Sequence, residues 1–210
     1  MLAVALFHLA TLTPTKAELI SAWAPTQSWG AATTDPIELI GAYRFDDPEG
    51  RVGLETHLVV ADGVLLQVPL TYRDEPLAGA DEALIREMHH SALGTRWVYD
   101  GLRDPRYVTM LTAVTMTGQG EAIGLASHDG RWYVAPSAVR ITGGGWTQER
   151  VPVDGFALDV DDASGSVLRN DRFEMTVHRR PTARPRPSIA LTATWETQPD
   201  PVVLAELRER

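Results

Sequence analysis

Two sets of side chains in this sequence have the types and spacing that could do chemistry. The first is Glu87 with His89 and His90, the most metal-like cluster. On a helix, adjacent histidines point about 100° apart and do not readily share one ion, whereas Glu87 and His90, at i and i+3, can. A third ligand, His57 or His128, would have to arrive through the fold. The second set is Tyr72, Arg73, Arg96, Trp97, Tyr99 and Asp100, which has the composition of a carbohydrate contact. Sugars are held by an aromatic face together with planar side chains that pair with hydroxyls. On a strand, Trp97 and Tyr99 share one face, and Arg96, Val98 and Asp100 share the other. A single pocket therefore needs Tyr72 or Arg73 from a neighbouring strand. The competing reading keeps the aromatics in the core and pairs Arg73 or Arg96 with Asp100 or Asp104.

Other reaction types find little support. There is no cysteine and no Gly-x-Ser-x-Gly, and Ser91 directly after His90 does not by itself make a dyad. Asp46-Asp47 and Asp161-Asp162 are acid pairs in turn-like contexts, where carboxylates are usually solvated. Gly143-Gly144-Gly145 lacks the Lys-Ser/Thr of a phosphate loop and reads as a flexible hairpin turn. No catalytic residue, metal or cofactor is assigned. A basic, proline-rich stretch runs from Arg179-Arg180-Pro181 to Arg184-Pro185-Arg186-Pro187. Arginine on a polyproline-like backbone can dock an acidic partner, so Arg179, Arg180, Arg184 and Arg186 are a candidate partner loop. The competing reading is a stiff, solvated hairpin loop.

These groups need elements to position them. Leu2 to Leu12 reads as a strand. Thr15-Lys16-Ala17-Glu18 has the spacing of a capping box, and Leu19, Ile20 and Trp23 give the next helix an apolar face ended by Pro25. Trp29 to Pro36 reads as loop, and Ile37 to Phe45 as a strand. Val52 to Ala61 alternates as a half-buried strand, Asp62-Gly63 is a hairpin turn, and Val64 to Tyr72 returns. Asp81 to Ser91 reads as a second helix, closed by Gly94. Beyond Asp104-Pro105 the pattern changes to strands over Tyr107–Met116, Glu121–Ala126, Arg131–Thr142, Val151–Val160, Ser166–His178 and Ser188–Glu196. Asp200-Pro201 has the form of a helix N-cap and first residue, which predicts a C-terminal helix. The fold class expected is α+β: a curved antiparallel sheet flanked by a few helices, extended by a strand-rich antiparallel C-terminal half. Residues 1–105 and 106–210 then form two regions packed as one compact unit.

Composition narrows the function. The 210 residues carry a formal net charge of -9. That disfavours nucleic acid and anionic membrane surfaces, which call for a basic footprint. Lys16 is the only lysine, so nearly every positive site is a planar, permanently charged arginine. The first ten residues are apolar but lack a positive n-region, and they read as a strand rather than a signal peptide. No run approaches a membrane span. Without cysteine, the chain fits a reducing cytoplasm.

Residues Thr13 to Pro105 resemble a known family. The resemblance rests on Thr13-Pro14-Thr15-Lys16, Glu18-Leu19 and Trp23, then on Gly41 to Pro48 and Gly53-Leu54-Glu55-Thr56. It continues through Gln67 to Arg73, Ala83-Leu84-Ile85 and His90 to Gly101. These residues resemble the N-terminal cap domain of actinobacterial maltokinases and related sugar kinases. The resemblance implies a curved antiparallel sheet and a link to α-glucan, maltose, trehalose or amino-sugar metabolism. Such kinases continue into a phosphotransferase domain with a catalytic-loop Asp, a metal-binding Asp and a phosphate-positioning lysine. Here Lys16 lies in the first helix and the second half reads as strands. The resemblance is therefore carried to fold and metabolic neighbourhood, and not to ATP, magnesium or phosphotransfer. It implies a non-catalytic binding or regulatory protein whose partner is a kinase-like or glucan-metabolising protein. Two alternatives remain. One is an enzyme or enzyme accessory acting on α-glucan, centred on Tyr72, Arg73, His90 and Arg96. The other is a small-sugar carrier using the concave face of the sheet.

Overall fold

The structure, a computed structural model, describes residues 4–7, 10–31 and 36–210. The chain opens with β1 (Val4–Phe7), β2 (Leu12–Thr13) and helix α1 (Lys16–Trp23). Next come β3 (Glu38–Phe45), β4 (Val52–Ala61), β5 (Val64–Arg73), β6 (Leu84–His90) and β7 (Gly94–Asp100). Helix α2 (Pro105–Thr117) leads into β8 (Ile123–His128), β9 (Arg131–Ala135) and β10 (Val139–Gly143). The remainder is β11 (Ala157–Asp162), β12 (Gly165–Arg169), β13 (Phe173–Val177), β14 (Ala190–Trp195) and β15 (Gln198–Glu209). Of the strand expected over Leu2 to Leu12, and the loop over Trp29 to Pro36, residues 1–3, 8–9 and 32–35 lie outside the described residues.

The fold is mostly antiparallel β with two helices. A curled six-stranded half-barrel has the order β2-β6-β7-β5-β4-β3, and a second six-stranded sheet has the order β10-β14-β15-β13-β12-β11. A small third sheet, β1-β8-β9, contains the parallel β1–β8 pair. The β4–β5 hairpin obeys its sequence. Asp62 and Gly63 take φ of 50° and 72°, the left-handed pair that a tight two-residue turn requires. The capping box of α1 forms as well: Thr15 Oγ1 accepts from the Glu18 amide, and the Glu18 carboxylate accepts from the Thr15 amide at 2.8 Å.

Alternation on the half-barrel strands builds two cores. Phe45, Leu54 and Leu58 face α2 and the second sheet, packing with Tyr107, Leu111, Met175 and Leu204. Val59, Leu66, Val68, Leu70 and Val98 face the inside of the curl and are covered by Leu19, Ile20 and Trp29. Helix α2 therefore sits between the two sheets, and its cap residue Asp104 is fully buried.

Three expectations are corrected. Asp81 to Ser91 is not a helix: a single 3-10 turn at Asp81–Ala83 gives way to β6, which pairs with β7. Helix-favouring residues yield there to strand pairing. Tyr107 to Met116 is not a strand but lies inside α2, with Asp104 as N-cap, Pro105 in the first turn and Gly118 left-handed at the C-cap. Tyr107, Val108, Leu111, Val114 and Thr115 are buried at helical spacing. The C-terminus is not a helix either. The run Val202 to Ala205 is buried in β15 between β13 and β14, where a continuous apolar segment suits a central strand.

Smaller differences come from turn chemistry. The segment Ser166 to His178 divides into two strands because Asn170 Oδ1 accepts from the Arg172 and Phe173 amides at 3.0 and 2.7 Å. Gly143 to Gly145 is held rather than loose. The amides of Gly143 and Gly145 donate to Gln119 and Thr115 carbonyls at 2.8 Å, and a Cβ on Gly143 would lie 2.0 Å from the Val114 oxygen.

Candidate functional site

The inner face of the half-barrel changes from apolar to polar along its own strands. On β4 the inward row runs from Val59 through His57 and Glu55 to Gly53. On β5 it ends at Tyr72, on β7 at Arg96 and on β6 at His90. The polar end of these rows, Glu55, Gly53, Tyr72, Arg96 and His90, lines a cleft of about 450 Å³ with Arg44 of β3, Lys16 of α1 and the turn around Asp46 and Asp47, while His57 and Val59 lie beneath it. Gly53 makes room in its floor. A Cβ there would come within 3.3 Å of Arg44 Nη2 and 3.4 Å of the Tyr72 side chain.

Glu55 is the electrostatic centre. Its Oε2 accepts from Lys16 Nζ at 2.5 Å and lies 3.3 Å from His57 Nε2. Burial alone would push this carboxyl up; His57, Lys16 and Arg44 outweigh burial and hold it well below the usual carboxylate range. Because a carboxylate only accepts, the His57 proton belongs on Nε2, which is also 3.2 Å from the Tyr72 hydroxyl. Burial, and then the Glu55 charge, push the Tyr72 phenol well above its ordinary value. Tyr72 therefore keeps its proton. The Lys16 ammonium also lies 5.4 Å from the centre of the Tyr72 ring.

The rim is built by local hydrogen bonds. Asp47 accepts from the amides of Arg51 and Val52, both at 2.9 Å, which fixes the turn after β3. Arg51 reaches out to Glu75 at 2.5 Å. His90 Nδ1 accepts from the Ala92 and Leu93 amides at 3.2 Å, so the neutral ring carries its proton on Nε2. Chemically, the cleft offers an ionised carboxylate, a protonated phenol and several guanidinium donors. Glu55 is locked in the charged state and is no proton donor at neutral pH. This arrangement suits the binding of a small, polar, hydroxyl-bearing molecule.

The structure separates the residues singled out in the sequence. Tyr72, His90 and Arg96 line the cleft together. Arg73 points from the opposite face of β5 and grips Asp104 through two bonds of 2.7 and 2.8 Å. Trp97 and Tyr99 lie on the other face of β7, where the Tyr99 hydroxyl accepts from the Leu77 amide at 2.9 Å. Asp100 shares the inward row with Arg96 but is consumed by Arg179, whose Nη2 is 2.6 Å from its Oδ2. Glu87 and His89 are exposed on β6, and the helical spacing invoked for Glu87 and His90 does not exist. His128 belongs to the small third sheet, beside Asp129. Among the described residues no group of three His, Cys, Asp or Glu is placed to hold a metal ion.

The proline-rich loop is largely an internal strap. Arg179 is fully buried over the Trp29 ring, 4.5 Å from its centre. Arg180 donates to the carbonyls of Trp29, at 2.7 Å, and Gly30. Arg184 sets its guanidinium against His178, at 2.8 Å from Nδ1, and Arg186 is exposed. Sequence reasoning missed Lys16, Arg44 and Glu55, and named His57 only as a distant metal ligand for His90 rather than as the partner of Glu55. One signal was present: Glu55 and His57 share a face of β4 whose other inward residues are small or apolar.

Residues 23–104 match the family model of the maltokinase N-terminal cap domain. The resemblance to a maltokinase cap domain is thus confined to residues 23–104. No curated protein matches the chain. The cap domain begins at the last residue of α1, spans β3 to β7 and ends at the N-cap of α2. All of the cleft wall from Arg44 to Arg96 belongs to it, whereas Lys16 stands before its first residue. No helix among the described residues is long and apolar enough to cross a membrane.

Proposed function

We propose that this chain is a cytoplasmic, non-catalytic binding or regulatory protein of α-glucan, maltose, trehalose or amino-sugar metabolism. Its ligand is a small sugar taken into the cleft, and it acts on a kinase-like or glucan-metabolising partner. One observation carries the reading: the polar cleft is built almost wholly from strands of the maltokinase cap domain. Its walls supply what hydroxyl recognition needs, namely planar arginines, a fixed carboxylate acceptor and a phenol. Titration calorimetry against maltose, trehalose, glucosamine and their phosphates tests it. At least one of these gives saturable heat that Gly53→Val, by filling the cleft floor, abolishes. Silence from the whole set sinks the sugar reading. Hydrolysis of α-glucan by the purified protein would overturn its non-catalytic part.

A further inference from the structure

Arg96 differs from the other cations of the cleft. Lys16 is bonded to Glu55 at 2.5 Å, and Arg51 to Glu75 at 2.5 Å. Arg44 lends its charge to the ionisation of Glu55. Arg96 is half-buried on the inner face of β7 and has no hydrogen bond or ion pair among the described residues. A guanidinium that has given up part of its hydration without a counter-charge is poised for an anion, and its planar fork matches the oxygens of phosphate. The acids lie on the other side of the cleft. Asp46 comes directly after the last residue of β3, and Glu55 sits on β4 opposite Arg44.

Building on the sugar-binding reading above, we propose that the ligand is a phosphorylated sugar, with its phosphate on Arg96 and its ring over Gly53 and Tyr72. Register fixes this orientation. Tyr72 pairs with Gly53 on one side and with Val98 on the other, and Arg96 is the next inward residue beyond Val98. Two strand spacings separate β7 from β4, roughly 10 Å. That span accommodates one pyranose ring and its phosphate. A phosphate at the opposite end would meet Asp46 and Glu55, and the cations Lys16 and Arg51 there are already engaged by Glu55 and Glu75, so the charges favour the phosphate at Arg96.

The test is calorimetry on the full chain with glucose, maltose, glucose 1-phosphate, glucose 6-phosphate and inorganic phosphate. A sugar phosphate should bind at least tenfold more tightly than its neutral sugar and than inorganic phosphate. Arg96→Gln should weaken the sugar phosphate by roughly ten- to a hundredfold, the worth of charge-assisted hydrogen bonds, and weaken neutral sugars by a clearly smaller factor, since they bring no charge to Arg96. Arg96→Lys should fall between the two. Near-UV circular dichroism that superimposes on the parent confirms the fold of each variant. Equal affinity for glucose and its phosphates, or an Arg96→Gln chain that binds the phosphate as before, overturns the proposal and leaves the sugar reading standing. Inorganic phosphate that binds as tightly as the sugar phosphates overturns it too. If nothing in the set binds, both readings fall.

Discussion

Arg179→Met should cost this protein about 4 kcal/mol, because Arg179 ties the cap domain to the second six-stranded sheet. Its guanidinium is fully buried, donates to Asp100 at 2.6 Å and to Ser166 Oγ at 2.8 Å, and lies over Trp29. Breaking one side of a buried pair typically costs ~3–5 kcal/mol, since the other charge stays buried without its partner. A desolvated cation–π contact adds up to about 2 kcal/mol, and the apolar packing of methionine returns part of the total. For a chain of this size, ~4 kcal/mol corresponds to a fall in Tm of roughly 8–16 °C. Urea unfolding monitored by tryptophan fluorescence, with calorimetry for Tm, measures it. The second arm is Asp100→Asn. It removes the charge but keeps an oxygen for the Leu102 amide, which now donates to Asp100 Oδ1 at 3.2 Å. The double variant should be less damaged than the two single costs added together, by about 2 kcal/mol, because it buries no orphan carboxylate. A single-variant cost under about 1 kcal/mol, or strict additivity, would refute the claim that this pair joins the two sheets.

The same geometry sets further outcomes. Asp104→Ala should destabilise by ~3–5 kcal/mol in urea, since Asp104 caps α2 and also accepts from Thr71 and from both arms of Arg73; a cost near zero would contradict it. The Glu55 carboxyl is held below its ordinary value of 4.5, so it stabilises the fold above that pH and loses this contribution as pH falls through and below it. The stability gap between wild type and Glu55→Gln should therefore be widest near neutrality and should narrow in acid titrations read by circular dichroism. A gap that is flat with pH would show Glu55 is not so held. Gly143→Ala forces a Cβ to within 2.0 Å of the Val114 carbonyl, so Tm should drop by several degrees, whereas an alanine at open Gly63 meets no atom and costs only its left-handed backbone.

The elements that the sequence announced correctly were those whose signal is local. A left-handed Asp-Gly turn between two alternating runs, and a Thr-x-x-Glu box before Leu19, act over a few residues and need nothing from the rest of the chain. The failures involve competition at long range. Leu84 to His90 has helix-forming composition, but its amides are paired with β7, and that pairing exists only once the half-barrel closes. The residues from Tyr107 to Met116 are rich in β-branched types, yet their burial repeats at helical spacing after a buried aspartate and a proline. At the other end, Asp200-Pro201 carries the same start signal and lies inside a strand. The two cases part at the residues after the proline: Val202 to Ala205 is apolar without a break, and buried on both sides only in the middle of a sheet.

The cleft was hidden for a related reason. The alternation of Val52, Leu54, Thr56, Leu58 and Val60 identifies β4 as a half-buried strand, which assigns Glu55 and His57 to solvent. The curl of the sheet reverses that assignment by covering the second face with α1 and Trp29, so both faces of β4 are buried. A glutamate at such a place must be paired, and the sole lysine of the chain pairs with it. That lysine precedes the matched cap segment, and the arginines that hold Trp29 and its neighbour Gly30 in place come after it. Of the cleft-wall side chains on the inner face, Arg96 is then the cation for which the described residues provide no anion.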